Sequence, residues 1–245
     1  ITAFTGKNGG FSLEAFEKAF FYKEVFLRSL WIALISTAIC LLIAYPLAYM
    51  LTKMKPSTQN FVNMLLMIPM WMNFLLRIYA WVTILQSNGP LDTILSFFGI
   101  HGTYLGNSGA VVLGMVYEYL PFMILPLYSV MTKIHKSLIE ASQDLGANSF
   151  NVFYKVVFPL SLPGMAAGVT MVFVAAVSTF VISRMLGGGS NILIGDLIEM
   201  QFLGMSYNPN LGSAISLVLI VISLCAIMLM QQIDDNDEEI KDMLL

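Results

Sequence analysis

The chain has 245 residues, 58% of them hydrophobic and only 11% charged, where a soluble domain carries about 25% charged residues. With a mean hydropathy of +0.79 it reads as an all-α polytopic membrane protein, and a soluble enzyme is excluded. The formal net charge of −3 is small and argues against a nucleic-acid partner, while Cys40 and Cys225 lie in apolar runs and His101 and His135 in loops, so no metal-ligand cluster is spelled out.

Residues 1–24 are polar and of mixed charge, with Lys7, Glu14, Glu17, Lys18, Lys23 and Glu24, and read as an extracellular segment. Within them 12–21 has helical spacing, placing Leu13, Phe16, Phe20 and Phe21 on one apolar side. The membrane domain, 25–233, contains five runs of the roughly 20-residue length that a bilayer-spanning helix needs. They cover 29–51, 61–85, 110–132, 163–186 and 211–233. Pro46, Pro69, Pro121 and Pro126 fall inside these runs and predict kinks, which membrane helices tolerate when neighbours satisfy the freed carbonyls. The acidic tail, 234–245, reads as solvated and mobile.

Lysines set the orientation. Lys53 and Lys55 follow the first run, and Lys133, Lys136 and Lys155 follow the third, whereas 86–109 and 187–210 contain no Lys or Arg. By the positive-inside rule the lysine-bearing loops are cytoplasmic. Residues 1–24 then lie outside and the tail inside. An outside start with no signal-peptide pattern leads us to expect one more membrane helix ahead of Ile1, six in the full protein.

The cytoplasmic loop 133–162 is too regular for a connector. Leu138, Ala141, Ser142 and Leu145 recur at helical spacing, so 137–145 is expected to form a short amphipathic helix. Gly146 stands where a helix stops, because glycine takes the left-handed cap conformation at little cost. Asn148 or Ser149 can cap a second helix, which carries Phe150, Phe153, Tyr154 and Val157 on one face until Pro159 and Pro163 end it. The loop is thus a rigid helix-turn-helix knob.

Glu140-Ala141-Ser142, three residues, Gly146, nine residues, then Val156-Val157-Phe158-Pro159 resembles the EAA loop of the permease subunits of bacterial ATP-binding-cassette importers. The family pattern is Glu-Ala-Ala, three residues, Gly, nine residues, Ile, any residue, Leu-Pro. Ser142, Val156 and Phe158 are mild departures from it, and the spacing is intact. Ile68–Leu85, Leu120–Ser129 and Leu186–Phe202 further resemble the permeases of spermidine/putrescine importers. The resemblance implies the type I importer permease fold in a bacterial inner membrane. It implies as partners two copies of an ATP-binding-cassette ATPase, a companion permease and an extracellular polyamine-binding protein. It also implies coupling to the ATPase through Glu140, Ala141, Asp144, Leu145, Gly146 and Pro159. The bland alternative for Glu140 is a helix-start charge that offsets the helix dipole. The chain has no G-x-x-x-x-G-K-[ST] sequence; Gly187–Gly189 are followed by Ser190 rather than Lys. A transport subunit without catalytic residues or a cofactor of its own is therefore expected, with ATP and Mg bound by the partner ATPase.

Glu118 in the third run and Arg77 in the second come out at about the same depth, roughly 12 Å from the outer end at 1.5 Å per residue. An ionisable residue in a membrane marks a functional site by default. Two readings stand: Glu118 faces the path and attracts an amine, or it only pairs with Arg77. Asp196 and Glu199, three apart and near Phe202, share a face if their segment is helical. They form either an amine-attracting outer rim or gate, or a solvated acidic face. Tyr117 and Trp71 are candidates to line the path, although aromatics in spans more often pack helices or form interfacial belts. Arg28 and Arg184 are expected to snorkel to the interface. An importer of another small solute is the alternative function. A stand-alone secondary transporter would show an internal repeat, and none is visible.

Overall fold

The computed structural model describes residues 2–4, 14–99, 102–189, 191–204 and 207–243, the stretch from 233 onward by its backbone alone. All regular structure among the described residues is helical. After a single turn at Thr2–Phe4, α1 (Glu14–Phe20) and α2 (Lys23–Thr52) lead to α3 (Pro56–Trp71) and α4 (Phe74–Leu85). The short α5 (Pro90–Phe97) precedes α6 (Ser108–Met131). Then come α7 (Lys136–Asp144), α8 (Ser149–Leu160), α9 (Leu162–Ser178), α10 (Val181–Leu186), α11 (Ile194–Leu203) and α12 (Pro209–Met243). Among the described residues three helices are long and apolar enough to cross a membrane, or up to five if each of two bent pairs counts as one span. Leu13, expected on the apolar side of α1, lies outside the described residues.

Two of the five runs are not continuous helices. The run 61–85 stops at Trp71 and restarts at Phe74. The cause is Asn73, whose side-chain oxygen accepts from the backbone N–H of Leu75 at 2.9 Å and Leu76 at 3.4 Å, capping α4. The break therefore falls at Asn73's cap rather than at Pro69, which stays inside α3. The run 163–186 stops at Ser178 and restarts at Val181. Gly195 seats against this second break: a Cβ there would come within 2.4 Å of the Thr179 carbonyl oxygen, so only glycine allows the approach. The backbone of α12 runs on through the acidic residues to Met243, as the absence of Gly or Pro after Gly212 permits.

The chain forms two compact units. The first comprises residues 1–36, 72–118 and 173–224. Its core holds Ile78, Val111, Met115, Ile182, Leu186, Leu193, Ile194 and Ile215, all fully buried. Within it the N–H of Ile194, at the start of α11, donates to Ser29 Oγ at 2.9 Å, and Gly106 N donates to the Leu186 carbonyl at 2.8 Å. These bonds tie the N-terminal part of α2 and the segment before α6 to α10 and α11. The second unit comprises 37–71, 119–172 and 225–245. It buries Cys40, Ala44, Ala48, Met123, Leu127, Val152 and Val157, and Tyr45 and Ser161 share a hydroxyl–hydroxyl bond of 2.9 Å. Cys225, whose apolar run reads as burying it, is exposed.

Candidate functional site

In the loop 133–162, α7 ends in a closed turn. Gly146 adopts φ +84°. Its N–H donates to the Gln143 carbonyl at 2.8 Å, and the N–H of Ala147 reaches back to the Ser142 carbonyl at 3.1 Å. This pair of bonds satisfies helix-end carbonyls and requires the left-handed residue between them. Asn148 then caps α8, its side chain accepting from Asn151 N at 2.8 Å. The helices are thus locked end to end by backbone turns and a single cap.

The second helix is anchored on one side only. Phe153 packs edge-on against Tyr45 at 5.7 Å and Tyr49 at 5.4 Å, and Val152 and Val157 are buried. Phe150 and Tyr154 point away, 72% and 63% exposed, with parallel rings 6.5 Å apart. The expected single aromatic face is therefore split. The two rows are each spaced i, i+4, Phe150 with Tyr154 and Phe153 with Val157, and a π-helical turn runs over 153–157, in which Phe158 N–H bonds to the Phe153 carbonyl. Pro159 lies just beyond that turn, and α8 ends one residue after it, at Leu160. Glu140, Ala141 and Asp144 lie on the solvent-accessible surface of α7, and Leu145 is 90% exposed at its end. Leu145, Phe150 and Tyr154 give the loop an uncovered apolar tip of the sort that marks a protein–protein contact.

In the first unit, Arg77 Nη2 bonds Glu118 Oε1, and both side chains are buried. Arg77 Nε and Glu118 Oε2 find no hydrogen-bond partner among the described residues. Tyr117 faces Trp81, edge to ring at 5.4 Å. Trp71, at the end of α3 in the second unit, is almost fully exposed.

Asp196 and Glu199 differ in surroundings, and Asp196 is no solvated charge. It is 6% exposed. Its Oδ2 accepts from Ser183 Oγ at 2.6 Å and from Leu193 N at 2.9 Å, closing the first turn of α11. Burial pushes its carboxyl above the usual Asp range, and these two hydrogen bonds pull the other way. Glu199, largely buried, receives Arg184 Nη1 on both carboxylate oxygens at 2.5 Å. Arg184 is therefore paired rather than reaching alone for the interface. Phe202 packs where a Cβ on Gly212 would meet its ring at 2.9 Å. Sequence reasoning misses Ser183 and Arg184 as partners; an Asp three residues into a helix, facing a cap residue, is the available signal.

A buried acid with a raised pKa is easier to protonate folded than unfolded. Its contribution to stability is full below pH 3.8, the ordinary value, and is lost as pH rises toward the raised folded value. Asp196→Asn keeps an oxygen acceptor for Ser183 and Leu193 N. We expect the substituted protein to lose less thermal stability than the parent as pH rises above about 4, measured by melting curves. Identical pH dependence would show that Asp196 does not bear this strain.

A family model described as "Binding-protein-dependent transport system inner membrane component" matches residues 29–235. The chain is 42% identical over 204 residues to the Haemophilus influenzae spermidine/putrescine transport system permease protein PotB, covering 82% of this chain and 71% of that protein. It is 39% identical over 204 residues to the Escherichia coli K12 protein of the same name, covering 82% and 74%. Among solved structures, a bacterial transporter that imports the acidic polysaccharide alginate superposes with TM-score 0.75 at 17% identity, over 96% of this chain and 87% of that one. The MetNI methionine transporter, in inward-facing form, superposes with TM-score 0.65 at 17% identity, over 87% and 94%. At such identities the two structures speak for the fold alone.

Proposed function

Because the chain belongs to the family of binding-protein-dependent transport system inner membrane components, we propose that it is the permease subunit of an ATP-driven importer of polyamines, spermidine or putrescine. The observation that carries the solute class is the 42% identity, over most of both chains, to a protein named for spermidine and putrescine transport. In this reading the chain forms part of the path and hydrolyses nothing. Its partners are two copies of an ATP-binding-cassette ATPase, a PotC-like companion permease and an extracellular polyamine-binding protein.

The coupling step is built on the knob. Closure of the ATPase pair must move helices that cross the membrane, so the element between them has to transmit displacement without deforming. The exposed Leu145, Phe150 and Tyr154 supply an apolar surface for a groove on the ATPase, with Glu140 and Asp144 on α7 as polar contacts. The closed turn at Gly146 and the seating of Phe153 on Tyr45 and Tyr49 keep the two helices in register with the C-terminal part of α2. Push on the tip is then passed to packed aromatic rings instead of being absorbed in a loop.

Reconstitution of the chain with its ATPase, companion permease and binding protein in proteoliposomes tests this. ATP-dependent accumulation of labelled spermidine is expected. An ATPase stimulated by a binding protein loaded with some other solute, with no spermidine taken up, would keep the permease and remove polyamine as its cargo.

A further inference from the structure

Ser183, Arg184, Asn191, Asp196, Glu199 and Met200 line a cavity of about 240 Å³ in the first unit. We propose that this cavity receives one alkylammonium end of the solute, and that Arg184 is a built-in cation which that ammonium displaces. The inference rests on the polyamine reading above and deepens it. It gives this chain a named solute contact on the side that the lysine distribution assigns to the exterior.

The charges support it. The cavity is lined by two carboxylates and one guanidinium, so one further cation balances the excess carboxylate. The hydrogen bonds point the same way. Capping of α11 uses only Oδ2 of Asp196, through Ser183 and Leu193 N. The other oxygen, Oδ1, is buried and has no hydrogen-bond partner among the described residues. A buried acceptor left without a donor is costly, and an ammonium brings up to three donors. Arg184 holds Glu199 from an exposed position, where water competes for its guanidinium and the pair is weaker than a fully buried one. Size limits the guest. The cavity lies below the roughly 300–1,000 Å³ of pockets that enclose a drug-sized ligand, in keeping with a small guest such as one end of a linear amine. Ile192 and Met200 flank it and suit the methylenes behind the charged nitrogen.

The guanidinium makes the test sharp, because a structural ion pair and a displaceable one respond oppositely to its removal. Equilibrium binding of labelled spermidine is measured on the assembled importer complex without its binding protein. Glu199→Gln and Asp196→Asn should each weaken binding by about tenfold, the scale of one lost charge-assisted hydrogen bond. Arg184→Gln should tighten binding by about threefold, the scale of one surface ion pair no longer competing. Binding unchanged in all three variants, or weakened in Arg184→Gln as loss of a purely structural pair would do, overturns the subsite while spermidine uptake by the unmutated complex upholds the polyamine reading. Absence of that uptake overturns the polyamine reading and the subsite with it.

Discussion

Gly146→Val should leave the importer hydrolysing ATP while the solute imported per ATP falls by about tenfold. The knob's turn needs a left-handed residue at 146, where φ is +84°. A β-branched side chain in that region costs about 1–3 kcal/mol, and about 1.4 kcal/mol is a tenfold change in population. Crowding is not the cause, since nothing lies within 4 Å of a Cβ built at this position. The effect is purely conformational, and a series of substitutions can read it. Asparagine visits the left-handed region readily, alanine less so and valine least. Uptake per ATP in the reconstituted complex should therefore fall in the order Gly, Asn, Ala, Val. Equal losses for Asn and Val would instead mean that the ATPase touches residue 146 directly and tolerates no side chain there. The hydrogen bonds from Gly146 and Ala147 back to Gln143 and Ser142 are the part that valine disrupts. With them gone, α7 and α8 pivot independently, and movement of the ATPase is lost in the hinge.

The sequence made α7 and its end legible because the signals there are local. Helical spacing over 137–145, a glycine at the stop and Asn148 beyond it all act within a few residues. The orientation of α8 was not legible. Spacing counted at 3.6 residues per turn puts Phe150, Phe153, Tyr154 and Val157 within an arc of about 100°, and spacing alone does not divide that arc into a covered edge and an open one. Phe153 and Val157 face inward while Phe150 and Tyr154 face out. The interruption after Trp71 is hidden for a different reason. Hydropathy averages over a window, so one Asn inside an apolar run barely registers, yet Asn73 supplies a complete helix cap. Among the charges, depth along two runs matched Arg77 to Glu118 because straight helices convert residue count into distance. No such ruler links Arg184 to Glu199 or Ser183 to Asp196. Those pairs depend on how α10 turns back onto α11, which is a tertiary property.

Removing either partner of the Arg77–Glu118 pair should destabilise the protein severely. Both side chains are buried, and deleting one leaves the other as an uncompensated charge, at a cost of about 3–5 kcal/mol. That is a large share of the roughly 5–15 kcal/mol by which folded domains are stable. Arg77→Met and Glu118→Gln are each expected to lower the melting temperature of the purified complex sharply. Replacing both, Arg77→Met with Glu118→Leu, should restore most of the loss. The native pair is itself imperfect, since Arg77 Nε and Glu118 Oε2 have no hydrogen-bond partner among the described residues. An ion pair so incompletely satisfied is one that apolar residues can replace at little or no cost. The double variant also separates the two roles open to Glu118. If the carboxylate only holds α4 against α6, the restored protein takes up spermidine at close to the parent rate. If it meets the solute, stability returns without uptake. Glu118 is the member of the pair to follow in that measurement, because Arg77 would repel a polycation and can serve it only by positioning the acid.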